Sequence, residues 1–354
     1  MTTNDSLNGL CEKEKLAFNL LSNLCAEKNL LDRPNGLADD DAPYAINDST
    51  TLLRFLRARR LDPDAALQQF LEAAHFRKEK QTLDVYNCIR IEDFEAARNV
   101  YPHWIGRRTK HGLPICLTHI GNITKTTIQG WKDARYLNPN QPTDPSSSKD
   151  GDPTSLRNIE LLQIGALIFD NITRFAIPVC AALPDRRDAD TPLTSAVILA
   201  DASTLTISQG FDLRVFARDL SSLLSTCYPE IIDKIIICNC PVYLGIIWKA
   251  LKGWIDPVTA AKFVFLTPGE VYPALSEMIH DEDLPAQFGG KLEFQHGMLP
   301  DLDGGIRRAL RCDRLVPGPI KCGFDEQGRM KLVAVGSVDG QLRNEHVATL
   351  EMEL

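Results

Sequence analysis

Three short apolar runs, at residues 195–200, 234–240 and 262–266, are rich in Val and Ile, and stretches of helical spacing at 211–226 and 243–254 separate them. Apolar runs this short suit buried strands, and the longer spaced segments suit helices. Strand, helix, strand, helix, strand implies parallel strands joined by right-handed helical crossovers, an α/β architecture with a mostly parallel sheet. The chain has 354 residues, of which 44% are apolar and 24% charged, enough to bury a large core around such a sheet.

Helical patterns precede the sheet. Leucines alternate with Lys, Glu and Asn from residue 16 to 31, and the Pro- and Asp-rich stretch 32–47 reads as a loop. Asp48-Ser49 is a good N-cap for a helix carrying Leu52, Leu53 and Leu56 on one face. Asp62-Pro63 supplies a cap and a first-turn proline for another, with Leu67, Phe70, Leu71 and Ala74. Residues 1–95 therefore form an all-helical lobe and 96–300 the main domain. Within the latter, a strand is expected at 114–119, a Pro/Ser/Asp-rich loop at 141–153, a long helix at 154–175 and a second loop at 183–191. After Asp301 the pattern alternates between Gly and Pro breaks, with strands at 330–335 and 346–352 around the Val338-Asp339-Gly340 turn. That predicts a small β extension over 301–354.

Charge and motifs exclude several function classes. A formal charge of −8 argues against nucleic acid, whose binding needs a basic excess. Ten cysteines show no CxxC pair and no His at zinc spacing, so they are expected as reduced thiols mostly in the core, with no metal site. The start, MTTNDSLNG, lacks the basic and apolar stretches of a signal peptide, which predicts a cytoplasmic location. The longest uncharged run, 235–248, falls short of the ~20 residues a membrane-spanning helix needs, and no such helix is expected. Phosphate-loop, dinucleotide, HExxH and GxSxG signatures are absent, the seven histidines are scattered, and no nucleophile and base can be paired. No catalytic residue or cofactor is assigned, and the chain is read as a non-enzyme.

Four separated motifs carry a resemblance. They are the run at residues 51–60, TLLRFLRARR, with Phe76-Arg77-Lys78 after it; Tyr228-Pro229-Glu230 with Asn239-Cys240-Pro241; the run at 254–262, WIDPVTAAK; and the run at 284–290, LPAQFGG. In this order and spacing they resemble the CRAL-TRIO lipid-binding family, in particular the fungal Sec-fourteen-like phosphatidylinositol transfer proteins, over residues 49–290. The resemblance implies a CRAL-TRIO fold whose sheet floors a lipid pocket, and a headgroup site of Arg59, Arg60, Glu230, Thr259 and Lys262. Burying a phosphodiester requires cations and donors to replace its water, which these residue types supply. Arg54 and Arg57 are read as serving the fold. The run 242–255, with Trp248, Lys249, Leu251, Lys252 and Trp254, resembles the family's gate helix, and Trp beside Lys suits a lipid interface. Gly245 and Gly253 would lend it mobility.

One part of the pattern departs from the family. Ile105, Cys116, Ala196 and Ile198 stand where the family's phosphatidylcholine site has hydroxyls, and Thr109 stands in a loop where an acidic residue is common. Each missing hydroxyl would leave a buried phosphate short of a partner, at about 1–3 kcal/mol per group. The resemblance thus implies a carrier of phosphatidylinositol that has lost phosphatidylcholine and takes a sterol or another neutral lipid as its second ligand. It would exchange lipid between membranes as a monomer in transient contact with their surface, or present it to a lipid kinase. The alternative is a membrane-associated scaffold or small-GTPase regulator that uses the lipid domain as an address.

Overall fold

The computed structural model describes residues 9–124, 126, 161–186 and 191–351. The loop expected at 141–153 and the start of the helix expected at 154 lie outside these residues.

The sheet has five strands in the spatial order β1 (His103–Arg108), β2 (Pro114–His119), β3 (Ala196–Asp201), β4 (Ile232–Cys238) and β5 (Phe263–Phe265). β1 runs antiparallel to β2, and the remaining pairs are parallel. Side chains alternate across a strand, so a run apolar at every position buries both faces. Ile115, Leu117, Val197, Leu199 and Ile236 pack behind the sheet against Val271 and Leu275 of the helix Pro268–Met278. Cys116, Ile198, Ala200, Ile235 and Ile237 face the main core in front. The helices Arg214–Cys227 and Leu244–Leu251 lie in the crossovers from β3 to β4 and from β4 to β5, and the helix beginning at Leu161 lies in the crossover from β2 to β3.

The N-terminal lobe holds α1 (Glu12–Glu27), α2 (Ser49–Ala58), α3 (Pro63–Glu79), α4 (Thr82–Cys88) and α5 (Ile91–Arg98). Asp48 caps α2 by accepting from Thr50 N, and Asp62 caps α3 by accepting from Asp64 N and Ala65 N, as the sequence signals require. α4 and α5 have no such signal: neither Gln81 nor Arg90 makes a side-chain cap.

The helix expected to end at Phe175 runs on. It comprises Leu161–Asn171, a π turn Ile172–Ala176 and Ile177–Ala181. Pro178 lacks an N–H and its ring would press on the carbonyl one turn back; the wider π turn just before it relieves that clash and lets the helix continue. The stretch Leu162–Ala181 is long and apolar enough to cross a membrane by composition, against the expectation that no helix is. Nearly all of it is buried in the protein, where an apolar helix beneath a sheet belongs.

The C-terminal region also departs from the all-β expectation. Asp303 caps a helix, Gly304–Leu310, by accepting from Ile306 N (2.9 Å). Then β6 (Ile320–Phe324), β7 (Met330–Ala334) and β10 (Glu345–Thr349) form an antiparallel sheet ordered β10-β7-β6, while β8 (Ser337–Val338) and β9 (Gln341–Leu342) form a hairpin around Asp339-Gly340. β6 is fastened to the N-terminal lobe: Ala42 N donates to Cys322 O (3.0 Å), Phe324 N to Asp40 O (2.8 Å) and the Tyr86 hydroxyl to Ile320 O (2.6 Å). All ten cysteines are free, and eight are buried.

Candidate functional site

The site begins at the turn Tyr228-Pro229-Glu230, between the helix Arg214–Cys227 and β4. Tyr228 is buried, and its hydroxyl donates to the Asp170 carboxylate (2.7 Å). Arg77 holds the same carboxylate with one guanidinium nitrogen (2.9 and 3.0 Å) and lies over the Tyr228 ring. Arg54, buried beneath the turn, donates to Pro229 O (3.3 Å), and burial pushes its guanidinium down to about 10. These contacts hold Glu230 at φ +57°, a left-handed conformation that costs a non-glycine residue about 1–3 kcal/mol.

Two other segments converge on Glu230. Lys262, just before β5, donates from Nζ to Glu230 Oε2 (2.8 Å) and to Ile232 O (2.7 Å). Thr259 is presented by a one-turn helix, Pro257–Ala260, whose cap Asp256 accepts from Val258 N and Thr259 N. Arg59, ending α2, donates from Nε to Gln69 Oε1 (2.9 Å), and Gln69 donates on to Ser225 O (2.6 Å). Arg59, Gln69, Glu230, Thr259 and Lys262 line one cleft of about 100 Å³. Arg60 is not among its walls: it sits exposed one residue past the helix, at φ +54°. The turn that ends α2 directs consecutive side chains apart, so the two arginines do not act as a pair here.

The cleft shares Leu224 and Ile232 with an apolar cavity of about 190 Å³ in front of the sheet. The strands floor it with Ile198, Ala200, Ile235 and Ile237, and the helix Leu244–Leu251 roofs it with Ile247, Trp248 and Leu251. Trp248 packs at a tilt against Phe263 and edge-on against Phe265 of the edge strand, with ring centroids 4.7 and 5.0 Å away. On the outer side Lys249, Lys252 and Trp254 are exposed, beside exposed Val242 and Ile246. The volume is below the ~300–1,000 Å³ of ordinary ligand pockets. A two-chain lipid enters only if the roof moves.

The four positions read as an altered hydroxyl set are not together. Ile198 lines the cavity, and Cys116 and Ala196 belong to the same core without forming its wall. Ile105 lies in the cluster behind the sheet, because β1 turns its alternate residues, Trp104 and Ile105, to opposite faces. Its side chain cannot stand in for a hydroxyl reaching into the cavity. Thr109 is spent on its own hairpin, where its hydroxyl accepts from Leu113 N (3.1 Å).

A family model described as the CRAL/TRIO domain matches residues 98–290, and one described as the CRAL/TRIO N-terminal domain matches residues 13–72. The chain belongs to the CRAL/TRIO family. This CRAL/TRIO chain is 24% identical to the SEC14 cytosolic factor of Candida glabrata, over 70% of its own length and 72% of that protein. It is 26% identical to the Sec14 cytosolic factor of Schizosaccharomyces pombe, over 71% and 77%. It is 23% identical to the Phosphatidylinositol/phosphatidylcholine transfer protein SFH9 of Arabidopsis thaliana, over 96% of this chain and 49% of that one. The crystal structure of Sfh5 superposes with a TM-score of 0.54 at 13% identity, covering 81% and 90%, a likeness of fold alone.

Sequence reading of the CRAL/TRIO chain missed the residues that position the cleft. Gln69 and Asp170 look like ordinary helix residues, and only packing shows that one tethers Arg59 and the other Tyr228. Asp256 carried a signal: Asp-Pro before a short helical stretch marks an N-cap, and the capped turn is what presents Thr259.

Proposed function

We propose that this chain binds phosphatidylinositol, with its acyl chains in the apolar cavity and its phosphate and inositol in the cleft of Arg59, Glu230, Thr259 and Lys262, and exchanges it between membranes. One observation carries the reading: four polar residues from three separate segments converge on a cleft that shares a wall with an apolar cavity. A phospholipid has that division of chemistry. Arg59 and Lys262 are the cations a buried phosphate requires, and Glu230 and Thr259 are suited to the ring hydroxyls. The Lys262–Glu230 bond also keeps both charges partnered when no headgroup is present, so that an inositol lipid replaces contacts and does not have to create them.

The chains set the scale of the task. At ~0.8 kcal/mol per CH₂, moving a lipid of about 32 chain carbons into water costs on the order of 25 kcal/mol. A carrier avoids that by opening only at a bilayer. The exposed Val242, Ile246 and Trp254 with Lys249 and Lys252 fit that role: apolar groups to enter the interface, and lysines to meet anionic headgroups at about 1 kcal/mol each. Two relatives are named as cytosolic factors and one as a transfer protein, consistent with a carrier that works at membranes as a peripheral visitor and with no chemical step. Handing the lipid to a kinase is the same exchange with an enzyme as acceptor.

The test is mass spectrometry of co-purifying lipids combined with vesicle transfer. Phosphatidylinositol should co-purify and move, and Lys262→Ala and Glu230→Lys should each lower its transfer at least tenfold while circular dichroism stays unchanged. Normal transfer by both variants, or a wild-type protein carrying no inositol lipid, would overturn the reading.

A further inference from the structure

A second cavity, of about 620 Å³, opens between the N-terminal lobe, the long helix 161–181 and the C-terminal sheet. Its volume lies within the ~300–1,000 Å³ of small-molecule sites, against about 190 Å³ for the cavity in front of the sheet. Among the described residues it shares no wall with that cavity or with the headgroup cleft. Leu52 from α2 and Thr173 and Ile177 from the long helix are buried in its wall. Pro178 belongs to it too, so the stretch of helix that continues past the π turn helps to build it. Phe324, ending β6, and Met330, opening β7, complete it. Both lie beyond the residues 98–290 matched by the CRAL/TRIO domain, so the C-terminal extension makes a cavity that the shared domain does not build on its own.

The lining has a definite electrostatic character. Three aromatic rings contribute to it, Phe18 of α1, Tyr44 and Phe324, the last two meeting edge to face with centroids 6.2 Å apart. Asp48 is its only charged side chain among the described residues, and no Lys, Arg or His lines it. Asp48 accepts from Ala45 N (3.0 Å), next to Tyr44, from Thr50 N (3.2 Å), and from the hydroxyls of Thr50 and Thr51. All four donors are neutral, so the carboxylate is hydrogen-bonded but keeps its charge. Arg54 is joined to it through the Thr51 hydroxyl and turns another nitrogen to Pro229 O. Arg174, beside Thr173, lies over the Tyr86 ring (4.9 Å) and outside the cavity wall. The face of an aromatic ring is negative and attracts an organic cation, most strongly where water is excluded. An anion here would meet a carboxylate with no cation to offset it.

We propose that this cavity binds a hydrophobic amine, its ammonium held by the rings of Phe18, Tyr44 and Phe324 and the charge of Asp48, and its apolar body on Leu52, Ile177 and Met330. This goes beyond the lipid-carrier reading and does not depend on it, because the two sites have no wall in common. Two heads suit the lining: a quaternary ammonium, which needs only ring faces and charge, and a primary ammonium, which also donates hydrogen bonds.

The test is calorimetric titration of the full chain with octyltrimethylammonium and octylammonium, with octanol and octyl sulfate as the neutral and anionic members of the same chain length. Wild type should bind at least one ammonium about tenfold more tightly than octanol, and octyl sulfate more weakly than octanol. Which ammonium binds tighter identifies the head. Asp48→Asn keeps the cap of α2, since Asn is as good an N-cap as Asp, and removes the charge; it should lower ammonium affinity about tenfold and leave octanol binding unchanged. Phe324→Leu keeps an apolar side chain and loses a ring, and should lower ammonium affinity about fivefold. Both variants should transfer phosphatidylinositol as wild type does. Octanol or octyl sulfate binding as tightly as the better ammonium, no ammonium binding by wild type, or unchanged ammonium affinity in both variants overturns the proposal and leaves the phospholipid reading standing. Ammonium binding that weakens in Asp48→Asn, in a protein that never moves phosphatidylinositol, would support this site and sink the phospholipid reading.

Discussion

At the residue scale, neighbours in sequence have unlike surroundings, and the variants should show it. Both arginines are exposed, but Arg59 lines the cleft and is tethered through Gln69, whereas Arg60 lies outside the cleft's walls. Arg59→Ala should therefore weaken phosphatidylinositol binding by about tenfold, in line with loss of a charge-assisted hydrogen bond, and Arg60→Ala by less than about twofold. Equilibrium binding to vesicles distinguishes the two, and equal losses would return Arg60 to the site. A second residue, His103, is set by geometry to be neutral. Its Nε2 accepts from Gly297 N (2.9 Å), and its Nδ1 faces Trp104 O (3.2 Å), so a second proton would break the first bond. Burial pushes its pKa well below the usual histidine range, and the nearby charge of Arg98 and the stacked His296 add to this. The sign follows from linkage: below about pH 6.5 the unfolded chain takes up a proton that native His103 refuses, so stability falls as pH drops toward the depressed native value. The melting temperature should decline from pH 7 to pH 5, with a shallower decline in His103→Gln.

Elements move only where packing leaves a hinge, and the cavity roof has one close contact that can be altered. A Cβ at Gly210, in the helix Ile207–Asp212, would stand 2.6 Å from two carbons of Ile247 on the roof helix. Glycine is thus what lets the roof close, and Gly210→Val should wedge it open. The expected result is spontaneous loss of a preloaded fluorescent phosphatidylinositol several-fold faster than from wild type. By contrast, Gly245 and Gly253 would meet nothing within 4 Å, so no packing demand explains them. Gly245→Ala, within the roof helix, should stabilise that helix by roughly 0.5–1 kcal/mol and slow exchange. Transfer kinetics at fixed vesicle concentration check both variants.

For the whole molecule, the C-terminal sheet is held by one buried ion pair and one exposed pair of very different worth. Lys321 Nζ lies 2.7 Å from Asp41 Oδ2, with side chains 6% and 3% exposed. Removing one partner of such a pair strands a buried charge, so Lys321→Met should cost about 3–5 kcal/mol in urea unfolding. Lys331 also meets a carboxylate, Asp40 (2.6 Å), but that aspartate is half exposed, and Lys331→Ala should cost less than about 1 kcal/mol. Similar midpoints for the two variants would show that the extension is not pinned at Asp41.

The parallel strands β2 to β5, the helices after β3 and β4 and the two caps of the N-terminal lobe were legible in the sequence because periodicity and capping are local, and the motifs that mark the family are contiguous runs; β1 and β6 were not read as strands. Helices α4 and α5 escaped because their short segments lack side-chain caps, and the π turn because it answers a proline several residues on. Sequence alone also determined which polar residues were available for a headgroup. What only the tertiary structure decided is which of them meet: Arg59 and not Arg60, with Gln69, Asp170 and Asp256 holding the rest. Side-chain direction at a helix end and the partner of a buried hydroxyl depend on segments far apart in the chain, and their approach is set by how the lobe and the sheet pack.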